Sequence, residues 1–413
     1  MKRIAIFHAG PVIVLEVIFT RVYQAIVAGF RHVYSRIYGD NPLLPHSGLR
    51  RGGKTRGPTA TPWIIAALWL ATCARPAAAE FPPSFNIPFI TNSTLKIHSR
   101  LYYLHRHFDT PHTQLSLALG GWAEWESGAW HGWSFGLTPY TSQRLAGSDE
   151  NDGGGLLQAG QKGYAVLGQA YVRWSGWASQ ITLHRQILET PLLNSFDAKM
   201  TPVTFEAYTF ENRSFTNLTL TFSQVEKIKT WTATSFQSLS DAAGFDGTDD
   251  GMTMGGLVWA PERFIVQAWE YYAHNLVNSV YAQVDVQGPD TGGPAWSLSA
   301  QGLYQQDVGS AYAGKFQAGM GGIRGGVTWN GFTLTTGGTI TDKGADIYNA
   351  WASYPGYTSL MEEDCNVAGE KAWMGGVAYD FTAIGWKGLS AFINHSESWT
   401  PESRDLSDPE QVE

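Results

Sequence analysis

The sequence predicts an all-β chain, a transmembrane antiparallel β-barrel, and three observations carry that expectation. Between Phe81 and Trp399 short apolar/polar alternations follow one another, and strands of period 2 show one face to lipid and the other to a lumen. The tight turns repeatedly hold a tryptophan, at Trp130, Trp177, Trp259, Trp329 and Trp386, and indole rings sit best at headgroup level, where one end is apolar and the other wet. The 43% hydrophobic content comes without a long apolar run in the body of the chain, which excludes helices of roughly 20 apolar residues as the spanning element. The 46 glycines and 13% aromatics suit many strands, which use Gly in turns and close contacts and aromatics at interfaces.

Residues 50–79 read as a secretory signal. Arg50, Arg51, Lys54 and Arg56 precede an apolar core from Trp63 to Leu70, and Ala77-Ala78-Ala79 supplies an A-x-A site with cleavage before Glu80. A lipoprotein site at Leu70-Ala71-Thr72-Cys73 competes, but Thr72 is a poor residue before a lipid-bearing Cys. Residues 1–49 are expected to be a non-native or disordered extension with no role in the mature protein, Met1 lying upstream of the true start. Residues 80–399 would form the barrel and 400–413 an aberrant tail. Removal of 1–79 leaves 18 basic against 34 acidic residues, a net charge of −16. Nucleic acid is thereby excluded as a partner, because its phosphates would be repelled. Cys365 alone remains, so no intrachain disulfide forms.

Fifteen candidate strands follow in up-and-down order: 95–107, 114–126, 132–140, 164–174, 180–187, 204–211, 218–227, 252–259, 263–272, 279–286, 296–304, 316–328, 332–340, 372–381 and 389–395. In the fourth, Ala170, Val172 and Trp174 alternate with Gln169, Tyr171 and Arg173; in the seventh, Leu218, Leu220 and Phe222 alternate with Thr219, Thr221 and Ser223. Connections alternate too. Those at 127–131, 175–178, 212–217, 260–262, 287–295, 330–331 and 383–387 are short, and Asn330-Gly331 between Trp329 and Phe332 is a strong two-residue hairpin signal. Those at 141–163, 188–203, 228–251 and 341–371 are long, the asymmetry of outer-membrane barrels with tight periplasmic turns and long outer loops. Acid clusters at 149–152, 246–250 and 362–364 read as solvated loop, with divalent-cation bridging to anionic surface lipid as the functional alternative; neither spacing nor a closing Glu makes a calcium loop.

Several motifs resemble the OprD-type substrate-specific outer-membrane porins. They are Leu119-Gly120-Gly121-Trp122, Trp130-His131-Gly132, Gly136-Leu137-Thr138-Pro139-Tyr140-Thr141, Arg185-Gln186, Thr190-Pro191-Leu192-Leu193-Asn194 and Asp197-Ala198-Lys199-Met200-Thr201-Pro202-Val203-Thr204-Phe205-Glu206. Tyr348-Asn349-Ala350-Trp351, Ser353-Tyr354-Pro355-Gly356-Tyr357-Thr358-Ser359 and Ala368-Gly369-Glu370-Lys371-Ala372 continue the likeness, which spans roughly 95–392 and is most specific over 190–206. The resemblance implies an 18-stranded unit, monomeric or a loose trimer, whose third outer loop folds inward and whose wall carries a ladder of basic residues for substrate carboxylates. Residues 190–205 fall where that loop should be. Two departures stand out: the family's frequent Arg is Lys199 here, a point charge in place of a bidentate fork, and His184 replaces a small residue before Arg185-Gln186. The resemblance also leaves three C-terminal strands unaccounted for. Fifteen strands cannot close antiparallel without unsatisfied backbone at a lipid-exposed edge, so the expectation is a truncated or frameshifted chain, or an odd-stranded barrel with one parallel closure.

Parity on the first strand puts Leu95, Ile97, Leu101 and Tyr103 toward lipid and Lys96, His98, Arg100 and Tyr102 toward water. Arg173 shares a face with Gln169 and Tyr171, and Lys227 and Lys229 share parity with Thr219 and Thr221. Arg185 alternates with the apolar set, and only a bulge or strand end would turn it inward. The expected ladder is thus Lys96, Arg100, Arg173, Arg185, Lys227 and Lys229, facing constriction-loop residues Asp197, Lys199 and Glu206. Each cation has a plainer reading, as filler of a polar interior paired with lumen acids. As a set they would focus potential on a passing carboxylate.

The expected function is passive diffusion of small anionic or zwitterionic solutes (carboxylates, amino acids, short peptides) across the bacterial outer membrane. No cofactor or metal is implied. Outer-membrane lipid, lipopolysaccharide and the barrel-assembly machinery would be its other partners. A structural or adhesive surface protein acting through the long loops is the alternative. An enzyme is not expected: a wall hydrolase needs a nucleophile and base in register, and the nearest approach is His395-Ser396-Glu397-Ser398.

Overall fold

The computed structural model describes residues 14–15, 88–107, 113–147, 152–288, 292–351, 354–360 and 364–401. The expected signal segment at 50–79, nearly all of the expected extension before it and nearly all of the expected tail lie outside the described residues. A helical turn, α1 (Pro88–Thr91), leads into the sheet, and no described helix is long and apolar enough to cross a membrane.

Among the described residues seventeen strands make one sheet. Two of them have two residues each: β1 (Val14–Leu15), paired with Leu101 and Tyr102, and β9 (Gln237–Ser238), paired with Lys227 and Ile228. The other fifteen match the expected set in number and order. The first half comprises β2 (Thr94–His107), β3 (Thr113–Glu126), β4 (Trp133–Ala146), β5 (Tyr164–Gly176), β6 (Ser179–Gln186), β7 (Thr204–Phe215) and β8 (Leu218–Lys229). The second half comprises β10 (Met252–Trp259), β11 (Phe264–Ala273), β12 (Val277–Gln287), β13 (Ala295–Asp307), β14 (Gln317–Trp329), β15 (Phe332–Thr341), β16 (Lys371–Asp380) and β17 (Ser390–Trp399). Each pairs antiparallel with the next, β8 passing directly to β10. The antiparallel pairings run from β2 to β17, and among the described residues none links β17 back to β2.

Several strands outrun their expected ends. β4 continues to Ala146, with Ser142 opposite Gly120 and Tyr164, because a ladder rising past the bilayer no longer needs an apolar outward face. Four connections are long, at 147–163, 187–203, 230–251 and 342–370, and all lie at one end. The opposite end has tight turns. Trp177 and Ala178 (φ 51° and 53°) and Asn330 and Gly331 (φ 49° and 84°) both have positive φ at the two central positions, the hand that matches strand twist. The five turn tryptophans are all exposed there, from 44% at Trp259 to 89% at Trp177, as an interfacial belt requires.

Outward faces carry exposed apolar side chains such as Phe135, Leu137, Phe222, Val280, Val284, Leu298, Ile323 and Leu334. Inward faces of β13 to β15 carry Ser297, Ser299, Gln301, Thr333, Thr335 and Thr339 at the alternate positions. A charge on the outward face has no water to meet. Val284→Arg should therefore lower barrel stability by about 2–4 kcal/mol, whereas Ser297→Arg on the lumen face of the neighbouring strand should be near neutral. Urea titration of the folded fraction in detergent or lipid checks both.

Toward the long-loop end the lumen fills. Leu192, Leu193 and Val203 of the 187–203 connection, Leu239 of α2 (Leu239–Ala242) and Trp351 pack on the inward residues Met252, Met254, Trp269 and Tyr271 in one buried cluster. That packing follows from composition: these connections carry large apolar residues, among them Leu192, Leu193, Leu239 and Trp351, and burial inside the barrel removes them from water.

Candidate permeation site

The loop at 187–203 enters the lumen and is pinned at both ends. Near its start, Thr190 N–H and Oγ1 both donate to Leu193 O, at 2.8 and 2.9 Å, closing a turn that buries Leu192 and Leu193. Midway, Phe196 packs on Trp231, ring centroids 4.6 Å apart, and Trp231 Nε1 donates to Phe196 O at 2.7 Å. At its foot, Val203 N donates to Ser195 O at 2.7 Å. Gly168 opens the adjoining wall: a Cβ there would lie 2.2 Å from the ring of Tyr140, which is thus free to lie flat and buried on the inside.

Arg100 meets this loop as a fork. Its Nη1 and Nη2 donate to Asp197 Oδ1 and Oδ2, each at 2.6 Å, Nη1 also donates to Lys199 O at 2.7 Å, and the guanidinium lies 4.7 Å from the centroid of Trp122. Lys96 and Arg173 stand nearer the short-turn end. Lys96 Nζ lies 3.3 Å from Glu124, and Arg173 Nη1 donates to Glu126 at 2.9 Å while its guanidinium covers the Tyr171 ring. Lumen acids thus face all three of these cations.

Five of the expected site residues take other positions. Phe205 and Ala207 are fully buried on the inside of β7, so Glu206 between them points outward, and Arg185, opposite it in register, donates Nε to Glu206 at 2.9 Å on that outer face. A left-handed His184 (φ 82°) and an irregular register at Glu206/Ala207 mark the break, but the bulge does not bring Arg185 inward. The same irregularity skips Glu226 on β8, so Lys227 stands opposite Glu206 and shares its outer face. Lys199 carries its Nζ over the Trp231 ring at 5.3 Å. Lys229 is buried, as described below, and offers no charge to the lumen surface.

The cation that sequence reasoning passed over is Arg324. It lies on the lumen face of β14, opposite Ser299 and Gly337, with its guanidinium 4.5 Å from the centroid of Tyr357. The signal was present: Arg324 is the lone Lys or Arg in that strand and alternates out of phase with Ile323 and Val327, both exposed outward. Among the described residues no carboxylate lies within ion-pair distance of it. Arg324 lines a lumen cavity of about 840 Å³ together with Glu189 and Asp197 of the inward loop, Gln283 of β12, Tyr357 and Asn394. It also lines a second cavity of about 610 Å³ toward the short turns, bordered by Ser297, Thr328, Thr333 and Thr335. Arg324 therefore sits where the two chambers meet.

The acid clusters are partly legible. Asp250 accepts from Asn275 Nδ2 and Tyr312 Oη, tying the 230–251 loop to two neighbouring connections. Asp364 accepts from Ser359 Oγ at 2.7 Å; burial lifts its carboxyl above the usual range, and the hydroxyl bond partly offsets that. Among the described residues no group of three or more His, Cys, Asp or Glu is placed to hold a metal.

A barrel with long loops at one end and a loop that enters the lumen matches a known architecture. The family model described as outer membrane porin, OprD family, matches residues 88–410. This chain belongs to the OprD family. Among solved structures, Pseudomonas aeruginosa OccK9 (OpdG) is similar at 23% identity, covering 77% of this chain and 86% of its own, with a TM-score of 0.71. Pseudomonas aeruginosa OpdK, solved with vanillate, is similar at 17% identity over 75% and 83%, with a TM-score of 0.67. Pseudomonas aeruginosa OccK2 (OpdF), solved in complex with glucuronate, is similar at 18% identity over 76% and 82%, with a TM-score of 0.65. At these identities the likeness shows the fold. No curated protein matches the chain in sequence. An OprD-family porin is an outer-membrane channel, and the porin's machinery is accordingly its lumen.

Proposed function

We propose that this porin passes small carboxylate-bearing solutes, anionic or zwitterionic, with Arg324 as the group that meets the carboxylate. The observation that carries this is the state of the lumen cations. Lys96, Arg100 and Arg173 each have an acid partner, whereas Arg324 stacks on Tyr357, has no acid within ion-pair distance among the described residues, and opens on both chambers. A guanidinium left without a counter-ion offers a planar donor fork that fits a carboxylate edge to edge. Glu189 lines the same cavity and, among the described residues, receives a single long contact of 3.5 Å from Ser195 N, so it supplies a negative partner for the ammonium of a zwitterion. Two structurally similar porins were solved with vanillate and glucuronate, which both carry a carboxylate. Outer-membrane lipid and lipopolysaccharide around the apolar outer wall, the barrel-assembly machinery, and a monomer or loose trimer complete the proposal.

Proteoliposome swelling tests it. Monocarboxylates and zwitterionic amino acids should enter faster than neutral sugars of equal size. Equal rates across charge classes would remove Arg324 as a guide and leave an unselective pore.

A further inference from the structure

Lys229 ends β8 with no exposed surface, and it has no carboxylate partner among the described residues. Its ammonium is held by oxygens of two loops. Nζ donates to Thr201 Oγ1 at 3.4 Å and Pro202 O at 3.2 Å, at the foot of the inward loop, and to Thr230 O at 3.0 Å and Trp231 O at 3.3 Å, at the start of the next long loop. Tyr140 closes the cage from below, its ring centroid 5.3 Å from Nζ. Thr201 Oγ1 completes the joint by donating to Trp231 O at 2.9 Å and meeting Tyr164 Oη at 3.0 Å.

We infer that Lys229 is a positioning residue, a latch that fixes the inward loop to the 230–251 loop and so sets how far the loop projects into the channel. An ammonium has three donors and no acceptor, so only a set of oxygens can satisfy it when water is excluded. These oxygens come from separate loops, so parting the loops breaks the acceptor set that satisfies the buried ammonium. Phe196 and Asp197, which face the cavity, lie on the segment so held, within seven residues of Pro202. The latch and the lumen charge make opposite demands on one lysine: a guide must show its charge to the solute, and Lys229 shows none. The inference rests on the channel alone and not on which solute it passes.

Single-channel recording of Lys229→Met in planar bilayers decides the matter. Loss of the latch should add current sub-levels and open-channel noise absent from the wild type, with an unchanged reversal potential in a salt gradient, and Lys229→Arg should restore quiet openings at least in part. A shifted reversal potential with quiet openings would make Lys229 a ladder charge and overturn the inference. Quiet openings, an unchanged reversal potential and a lower melting temperature would make it a stabilising residue only, and overturn it equally. Should Lys229→Met fail to fold, Thr201→Val removes the shared hydroxyl and should show the same sub-levels; quiet openings there would overturn the latch.

Discussion

Arg100→Ala should free the inward loop, raising single-channel conductance and adding large current fluctuations. Arg100 fixes the loop by three charge-assisted bonds, two to the Asp197 carboxylate and one to Lys199 O. Hydrogen bonds to charged groups contribute about 1.5–3 kcal/mol each and do not simply add, so roughly 3 kcal/mol of anchoring is at stake for this partly exposed set. At 1.4 kcal/mol per factor of ten, the displaced loop becomes about a hundred times more populated. The loss of Arg100 also leaves Asp197 uncompensated beside the cavity, so cation permeation should rise with the conductance. Asp197→Asn separates the two effects: it weakens the anchor while adding no lumen negative charge. Noise in both variants with a cation shift in Arg100→Ala alone is the expected pattern; unchanged conductance in both would mean that the loop is held without Arg100.

Arg324→Ala should reduce selectivity for anions without adding noise. Arg324 touches the inward face of Tyr357 and neither anchor of the loop, so its removal changes charge more than shape. A unit charge some 4 Å from a passing carboxylate is worth about 1 kcal/mol at the dielectric constant of water and several times that in a narrowed channel. The lower figure already corresponds to roughly a fivefold fall in the anion-to-cation permeability ratio. Arg324→Glu should carry the ratio further in the same direction. Reversal potentials in a potassium chloride gradient measure both variants, and a ratio insensitive to the charge at this position would sink the proposed carboxylate contact.

Much of this was legible in the chain. Strand number and order, the four long connections, the Asn330-Gly331 hairpin and the belt of turn tryptophans all follow from period 2 and from turn chemistry, which are local properties. The inward face of β2 was equally plain, because Leu95, Leu101 and Tyr103 stay in phase along an unbroken strand and leave Lys96 and Arg100 to the lumen. Arg324 was readable by the same rule and was overlooked for lack of a motif around it. The motif around Arg185 and Glu206 pulled the other way: it marked a family correctly and the facing of its residues wrongly.

The sequence by itself therefore determined the barrel and its two unlike ends, since alternation and turn propensity are written residue by residue; the segment that enters the lumen was legible only through the family resemblance. Tertiary structure alone decided which cations face the lumen uncompensated. A single bulge at Glu226 sends Lys227 outward to Glu206, and the meeting of two loops buries Lys229 in a cage of oxygens. Both outcomes depend on how one strand or loop registers against another. A one-residue slip in that register reverses the face of every side chain beyond it, and nothing in the alternation of one strand reports where its neighbour slips.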